Sequence, residues 1–160
     1  MIISVDVESV GSIPIHLNES FVASKTLLEA ASRGATGILH RAEPLPPAGS
    51  NGPPYALVQF TINGAGLDKL KHEGTAKITR GSVCLIGSAN DLFISLAKGA
   101  EHDGWEQSMT VLGRVPDAEL DSLVEGAIMA LPKHDFKHPQ YGTVMSMLDK
   151  GLPLKLSVPS

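Results

Sequence analysis

The chain has 160 residues, enough for one domain with a sizeable core, and its 42% hydrophobic and 19% charged content is that of a folded globular protein. A net charge of -4, with thirteen scattered Lys and Arg, argues against a nucleic-acid partner, which needs a clustered basic face. One cysteine, Cys84, rules out an internal disulfide or a cysteine metal cluster, and no apolar run reaches the ~20 residues of a transmembrane helix.

In chain order, residues 2–8 alternate, with Ile3, Val5 and Val7 on one side and Ser4, Asp6 and Glu8 on the other, so a half-buried strand is expected. Its start, Met1-Ile2-Ile3-Ser4-Val5-Asp6, lacks a basic segment and a cleavage site. The cytoplasm and a secretory lumen both stay open as locations. Gly11 and the run 13–17 complete a hairpin. A helix follows over about 19–33. Phe21, Lys25, Leu28 and Ser32 lie at helical spacing, Leu27 and Ala31 widen the stripe, Asn18 or Ser20 is the candidate N-cap, and Gly34 the stop.

A short strand over 37–41 enters a loop dense in Pro and Gly over 43–54, and a strand over 55–62 follows. A loop of this kind inside one domain is often functional. Lys69-Leu70-Lys71-His72-Glu73 reads as a solvated turn. Strands are expected at about 75–79, 83–87, 92–97 and 108–115, with Cys84 a small buried hydrophobe. Residues 117–131 then carry a clear helical repeat in Leu120, Leu123, Val124, Ala127, Ile128 and Leu131, flanked by Pro116 and Pro132. A strand pair at 143–148 and 153–158 ends the chain. Many short antiparallel strands and two helices favour a mainly β architecture, a closed eight-stranded antiparallel barrel capped by two α-helices, as one domain over 1–160.

Other chemistries find little support. His134 and His138 stand four apart, a chelating spacing on a helix, but Pro132 and Pro139 flank them and no regular helix is expected, so no metal is expected either. No Gly-x-Ser-x-Gly elbow suggests a hydrolase. Gly34-Ala35-Thr36-Gly37 and Gly64-Ala65-Gly66 do not lead from a strand into a helix as a phosphate loop does.

The order of elements resembles that of the cyclophilins. Ile38-Leu39-His40-Arg41 is similar to the family's Phe-His-Arg segment, Ala56-Leu57-Val58-Gln59 to its Phe-Met-x-Gln segment, Asp91-Leu92-Phe93-Ile94-Ser95 to its Gln-Phe-Phe-Ile core, and Thr110-Val111-Leu112-Gly113-Arg114-Val115 to its Val-Val-Phe-Gly-x-Val strand. Arg41-Ala42-Glu43-Pro44-Leu45-Pro46-Pro47, with Gly52-Pro53-Pro54-Tyr55 downstream, resembles a divergent plant and algal branch. The likeness is best over about 36–115 and thinner elsewhere.

The resemblance implies a peptidyl-prolyl cis-trans isomerase that needs no cofactor and acts, as a monomer, on proline-containing peptide or protein segments. Rotation about an X-Pro bond meets a barrier of about 18–20 kcal/mol. No covalent bond is made, so catalysis comes from binding the twisted amide more tightly than either planar isomer. Twisting turns the proline nitrogen into a hydrogen-bond acceptor, which an arginine fork can meet without titrating. Arg41 matches that family position, and Gln59 the residue that orients it. Leu57, Phe93 and Ala56 match positions of the proline pocket, and Trp105 is the candidate groove tryptophan, although gapless counting from Gly113 puts Gly104 there.

Departures from the family pattern weaken the expected activity. Ala56 stands where a phenylalanine is usual, Phe60-Thr61 where paired glycines are, and Met109 where a histidine is. The segment 87–91 is shorter than the family's groove loop. The expectation is therefore a weak isomerase, with a non-catalytic module that binds a proline-containing partner segment as the alternative. A further possibility is that loop 43–54 is itself a preformed ligand for another protein.

Overall fold

A computed structural model of the chain describes residues 1–50, 52–87 and 89–160. Asn51, in the proline-rich loop, and Ser88, in the short groove loop, lie outside the described residues. The strands are β1 (Ile2–Val7), β2 (Gly11–Leu17), β3 (Thr36–Glu43), β4 (Leu57–Ile62), β5 (Ser82–Leu85), β6 (Asp91–Ser95), β7 (Thr110–Arg114), β8 (Lys133–Lys137) and β9 (Val144–Ser157). Helix α1 spans Val22–Ser32, and α2 spans Asp117–Glu119 with a π-helical continuation over Leu120–Ile128.

Neighbouring strands run antiparallel in the order β1-β2-β7-β5-β6-β4-β3-β9, and β9 returns to pair with β1 through Ser4↔Ser157 to Val7↔Leu154. The result is a closed antiparallel eight-stranded barrel with two helices, as the sequence pattern leads one to expect. Closure leaves no edge on those eight strands. It also explains why no strand forms over 75–79. Strand β5 pairs with β6 on one side and β7 on the other, so that stretch finds no free ladder. Ile78 is nonetheless buried, with the exposed Lys77 paired to Asp103 at 3.3 Å.

The alternating residues of the first hairpin, Ile3, Val5 and Val7 facing Ile13, Ile15 and Leu17, fill the interior. Helix α1 adds Ala23, Ser24, Leu27, Ala30 and Ala31. The Phe21–Lys25–Leu28–Ser32 line is not the buried face, since Lys25 and Ser32 are exposed. Nor does Asn18 or Ser20 cap the helix. Phe21 holds the N-cap position, and the Glu73 carboxylate accepts the Val22 and Ala23 N–H groups at 2.9 and 3.0 Å. The turn read as merely solvated therefore caps α1.

In the second helical segment Leu120, Val124 and Ile128 are buried, whereas Ala127 is exposed. The i→i+5 pattern, as in Met129 N–H to Val124 C=O at 3.2 Å, sets a wider turn than the α-helical repeat assumes.

The C-terminal strand pair is instead one long strand, β9, whose first half pairs with β8 from Lys133↔Leu148 to Lys137↔Val144. Between Leu152 and Met147 of β9, strand β3 advances only from Leu39 to Arg41. This irregularity sends the first half of β9 away from the barrel as a hairpin with β8. Among the described residues, no helix is long and apolar enough to cross a membrane.

Candidate functional site

A second, smaller apolar cluster lies outside the main core: Leu57, Ile78, Cys84 and Phe93, with Tyr55, Ile86, Trp105, Met109 and Val111 packed on it. Cross-strand register builds its floor. Arg41 on β3 stands opposite Gln59 on β4, and Gln59 stands opposite Phe93 on β6. Side chains directly opposite across a ladder share a face, so these form one row.

Arg41 reaches that face because of a bulge. Leu39 pairs with Phe60 and Arg41 with the very next residue, Gln59, which leaves His40 as the extra residue. In a regular strand, residues 39 and 41 would share a face. The bulge keeps Leu39 in the core and turns Arg41 to the outer wall.

The outer wall carries a cavity of about 410 Å³, within the range of ordinary small-ligand sites. Arg41, Leu57, Gln59, Phe93 and Trp105 all line it. Ala56 does not. It is fully buried, with a φ of 55°, and packs in the main core on the other side of the wall. Phe60, which could have filled the cavity, also packs in the main core. The other walls come from Tyr55, Ile86 and Met109, and from the β8–β9 hairpin through His138, Tyr141, Thr143 and Met145.

The polar side is an extended network. Gln59 Nε2 donates to Asp91 Oδ2 at 3.2 Å, so the amide oxygen is left to accept Arg41 Nη1–H at 2.8 Å. Thr61 donates its hydroxyl proton to the other oxygen of Asp91 and so accepts from His40 Nε2–H at 3.0 Å. Burial is the main force holding His40 below the ordinary histidine range, and the Arg41 charge adds to it against Asp91. On its far side, Arg41 makes an ion pair through Nε and Nη2 with Glu43, whose side chain is 1% exposed. Burial pushes the Glu43 carboxyl up, against the Arg41 charge and the donated hydrogen bonds. The Tyr55 ring lies 5.6 Å from the guanidinium carbon, a cation–π contact.

Trp105 opens a short 3₁₀ turn, Trp105–Gln107. It packs edge-on against Phe93 at 5.9 Å and stacks on His102 at 4.3 Å. Buried His102 donates from Nε2 to the Tyr55 carbonyl at 2.6 Å, so Nδ1 accepts from the Ser95 hydroxyl at 2.9 Å. Cys84 lies fully buried beneath the cluster, and burial pushes its thiol up, so it offers no thiolate.

His134 and His138 sit on and just after the exposed strand β8. His134 Nδ1 meets Asp149 at 2.7 Å, and His138 Nδ1 accepts the Gln140 and Tyr141 N–H groups. No group of three or more His, Cys, Asp or Glu gathers as a metal site among the described residues.

As parts of the site, sequence reading missed Glu43, Tyr55, His102 and the hairpin wall, of which it gave only a strand at 143–148. Glu43 had a signal: two residues beyond Arg41 on one strand, it can share that arginine's side. Strand β8 had none, because it alternates no apolar residues. No protein-family model matches the chain, and no curated protein matches it.

Proposed function

We propose that the chain is a weak peptidyl-prolyl cis-trans isomerase of cyclophilin type, with the outer-wall cavity as the seat of a proline-containing segment. One observation carries this reading: a guanidinium, Arg41, is fixed in the wall of an apolar cavity by Gln59 and Glu43. The prolyl ring packs against Leu57, Phe93, Met109 and Trp105, which fit an uncharged ring. Arg41 then stands beside the amide nitrogen. That nitrogen accepts a hydrogen bond well only once resonance is broken, so the contact strengthens in the transition state and lowers the barrier. Gln59, its oxygen committed to Arg41, keeps a second amide N–H for the substrate backbone.

The Glu43 carboxylate favours a weak enzyme. It compensates the charge that Arg41 presents to the twisted amide, which reduces the electrostatic gain. The same observation favours the second reading, a non-catalytic module that binds a proline-containing partner segment. Turnover of a prolyl peptide by the purified chain separates the two. The isomerase reading expects a rate enhancement that Arg41→Ala lowers by about 10²–10³-fold, the usual effect of losing one well-placed donor. Binding of the peptide with no enhancement leaves the module, and no binding at all defeats both.

A further inference from the structure

Glu43 is the most deeply buried ionisable partner of this site, and a carboxylate survives such burial only where donors and an opposite charge meet it. Its two oxygens divide the work. One accepts Nε–H of Arg41 and stands in ion-pair contact with Nη2, and the other accepts the Tyr55 backbone N–H at 3.0 Å. Ser146 on β9 lines the same small pocket as Glu43. Glu43 therefore ties two walls together: the strand that bears Arg41 and the segment that ends the proline-rich loop.

The donor count of the guanidinium gives this a consequence. Arginine has five N–H groups in a rigid plane. Glu43 takes the one on Nε and pairs by charge with Nη2, and Gln59 takes one on Nη1. At least one N–H on each terminal nitrogen remains without a hydrogen-bond partner among the described residues. The Tyr55 ring stands over one face of the plane.

We propose that Glu43 is the positioning residue of the site: by gripping the Nε–Nη2 side of Arg41 it sets the guanidinium's orientation and decides which N–H groups meet the bound segment. This rests on the reading of the cavity as a prolyl site. Of the two, only Arg41 touches substrate, and Glu43 acts through it. Glutamine at 43 cannot replace it, since a single amide oxygen cannot serve both Arg41 and the Tyr55 N–H, and its NH₂ group would face a donor. Aspartate keeps both acceptor oxygens on a shorter stem.

Two measurements test this. The first is NMR of the arginine Nε–H groups in the wild-type chain, which needs no turnover. Arg41 Nε–H is expected to exchange with water at least about ten-fold more slowly than that of the exposed Arg33, as a held donor does. Where Glu43→Gln folds, that protection is lost. Exchange of Arg41 as fast as that of Arg33 in the wild type overturns the proposal.

The second is kinetics with a prolyl peptide. Glu43→Gln is expected to lower kcat about ten-fold or more with little change in KM, because the lost orientation of Arg41 outweighs the charge compensation it relieves. Glu43→Asp is expected to recover part of kcat, and Glu43→Gln to have no further effect once Arg41 is alanine. An equal loss in the Arg41→Ala background makes Glu43 a stability residue only and overturns the proposal. A wild-type chain without turnover defeats the isomerase reading instead, and the exchange measurement still decides the role of Glu43.

Discussion

Trp105 stacks on His102 with ring centroids 4.3 Å apart and planes inclined by 25°. The imidazole is held at both nitrogens, by the Tyr55 carbonyl and the Ser95 hydroxyl, so the indole rests on a fixed plate and not on a mobile side chain. One cavity wall thus depends on a residue that does not line the cavity. His102→Ala strips the Tyr55 carbonyl and the Ser95 hydroxyl of a partner and opens a void. We expect a loss of about 2–4 kcal/mol in denaturant unfolding. Trp105 is the chain's one tryptophan, so its emission reports the same change and should move to the red as the stack is lost. An unchanged emission maximum in the folded variant would mean that the stack does not hold the indole.

Two histidines make stability depend on pH. Burial holds both His102 and His40 below the ordinary histidine range. In the unfolded chain each takes up a proton near pH 6.5. Below that pH the unfolded state binds more protons than the folded one, so acidification favours unfolding. Stability should be full above pH 6.5 and fall as pH drops through it, by at most about 1.4 kcal/mol per pH unit for each histidine. Glu43 opposes this at lower pH. Its raised folded-state value means that it binds a proton more readily folded than unfolded, which favours the fold as pH falls. Urea midpoints from pH 7.5 to 6 test the histidines, and His102→Gln should reduce the slope. A flat wild-type profile over that range would show that the burial of these rings carries no linkage.

Barrel strands were legible where one face is buried and the other is wet. Ile3, Val5 and Val7 against Ile13, Ile15 and Leu17 spell the first hairpin directly. The irregular features were not, because they depend on residues far away in sequence. The bulge at His40 comes from how β3 meets β4 and β9 together, so nothing in Ile38-Leu39-His40-Arg41 announces that Arg41 turns outward. Strand β8 stays hidden because Asp135, Phe136 and Lys137 are all exposed and the pattern has no period. The Arg41–Gln59 pairing came into view only through the four segments that resemble cyclophilins, and the ion pair with Glu43 not at all.

Helix α1 is capped from a distance, and this too is measurable. Glu73 bonds both the Val22 and Ala23 N–H groups, which places a full negative charge at the positive end of the helix. Its own N–H bonds Thr110 Oγ1 at 3.0 Å, which anchors the cap to β7. Glu73→Ala should cost about 1–2 kcal/mol. Glu73→Gln, which keeps an acceptor and loses the charge, should cost less, and added salt should narrow the gap between wild type and Glu73→Gln. Equal unfolding midpoints for wild type and Glu73→Ala would leave the cap without energetic weight.

Among the glycines, the tightest approach to a neighbouring strand is at Gly37 on β3, opposite Ile62. A Cβ built there would lie 1.9 Å from the Thr61 carbonyl oxygen and 3.0 Å from the Thr61 carbonyl carbon. Both obstacles are backbone in the β3–β4 ladder, so no side chain can swing aside, and the strands would have to part just before the bulge that aims Arg41. Gly37→Ala is expected to destabilise by more than about 3 kcal/mol or to prevent folding. Gly151 supplies the contrast. A Cβ there would first meet the Ile38 side chain at 3.6 Å, ordinary contact, and Gly151→Ala should stay within about 1 kcal/mol of wild type. Thermal unfolding of the two variants compares them directly. Similar midpoints would mean that β3 and β4 can separate at Gly37 without penalty, and the rigid row Arg41–Gln59–Phe93 would lose its support.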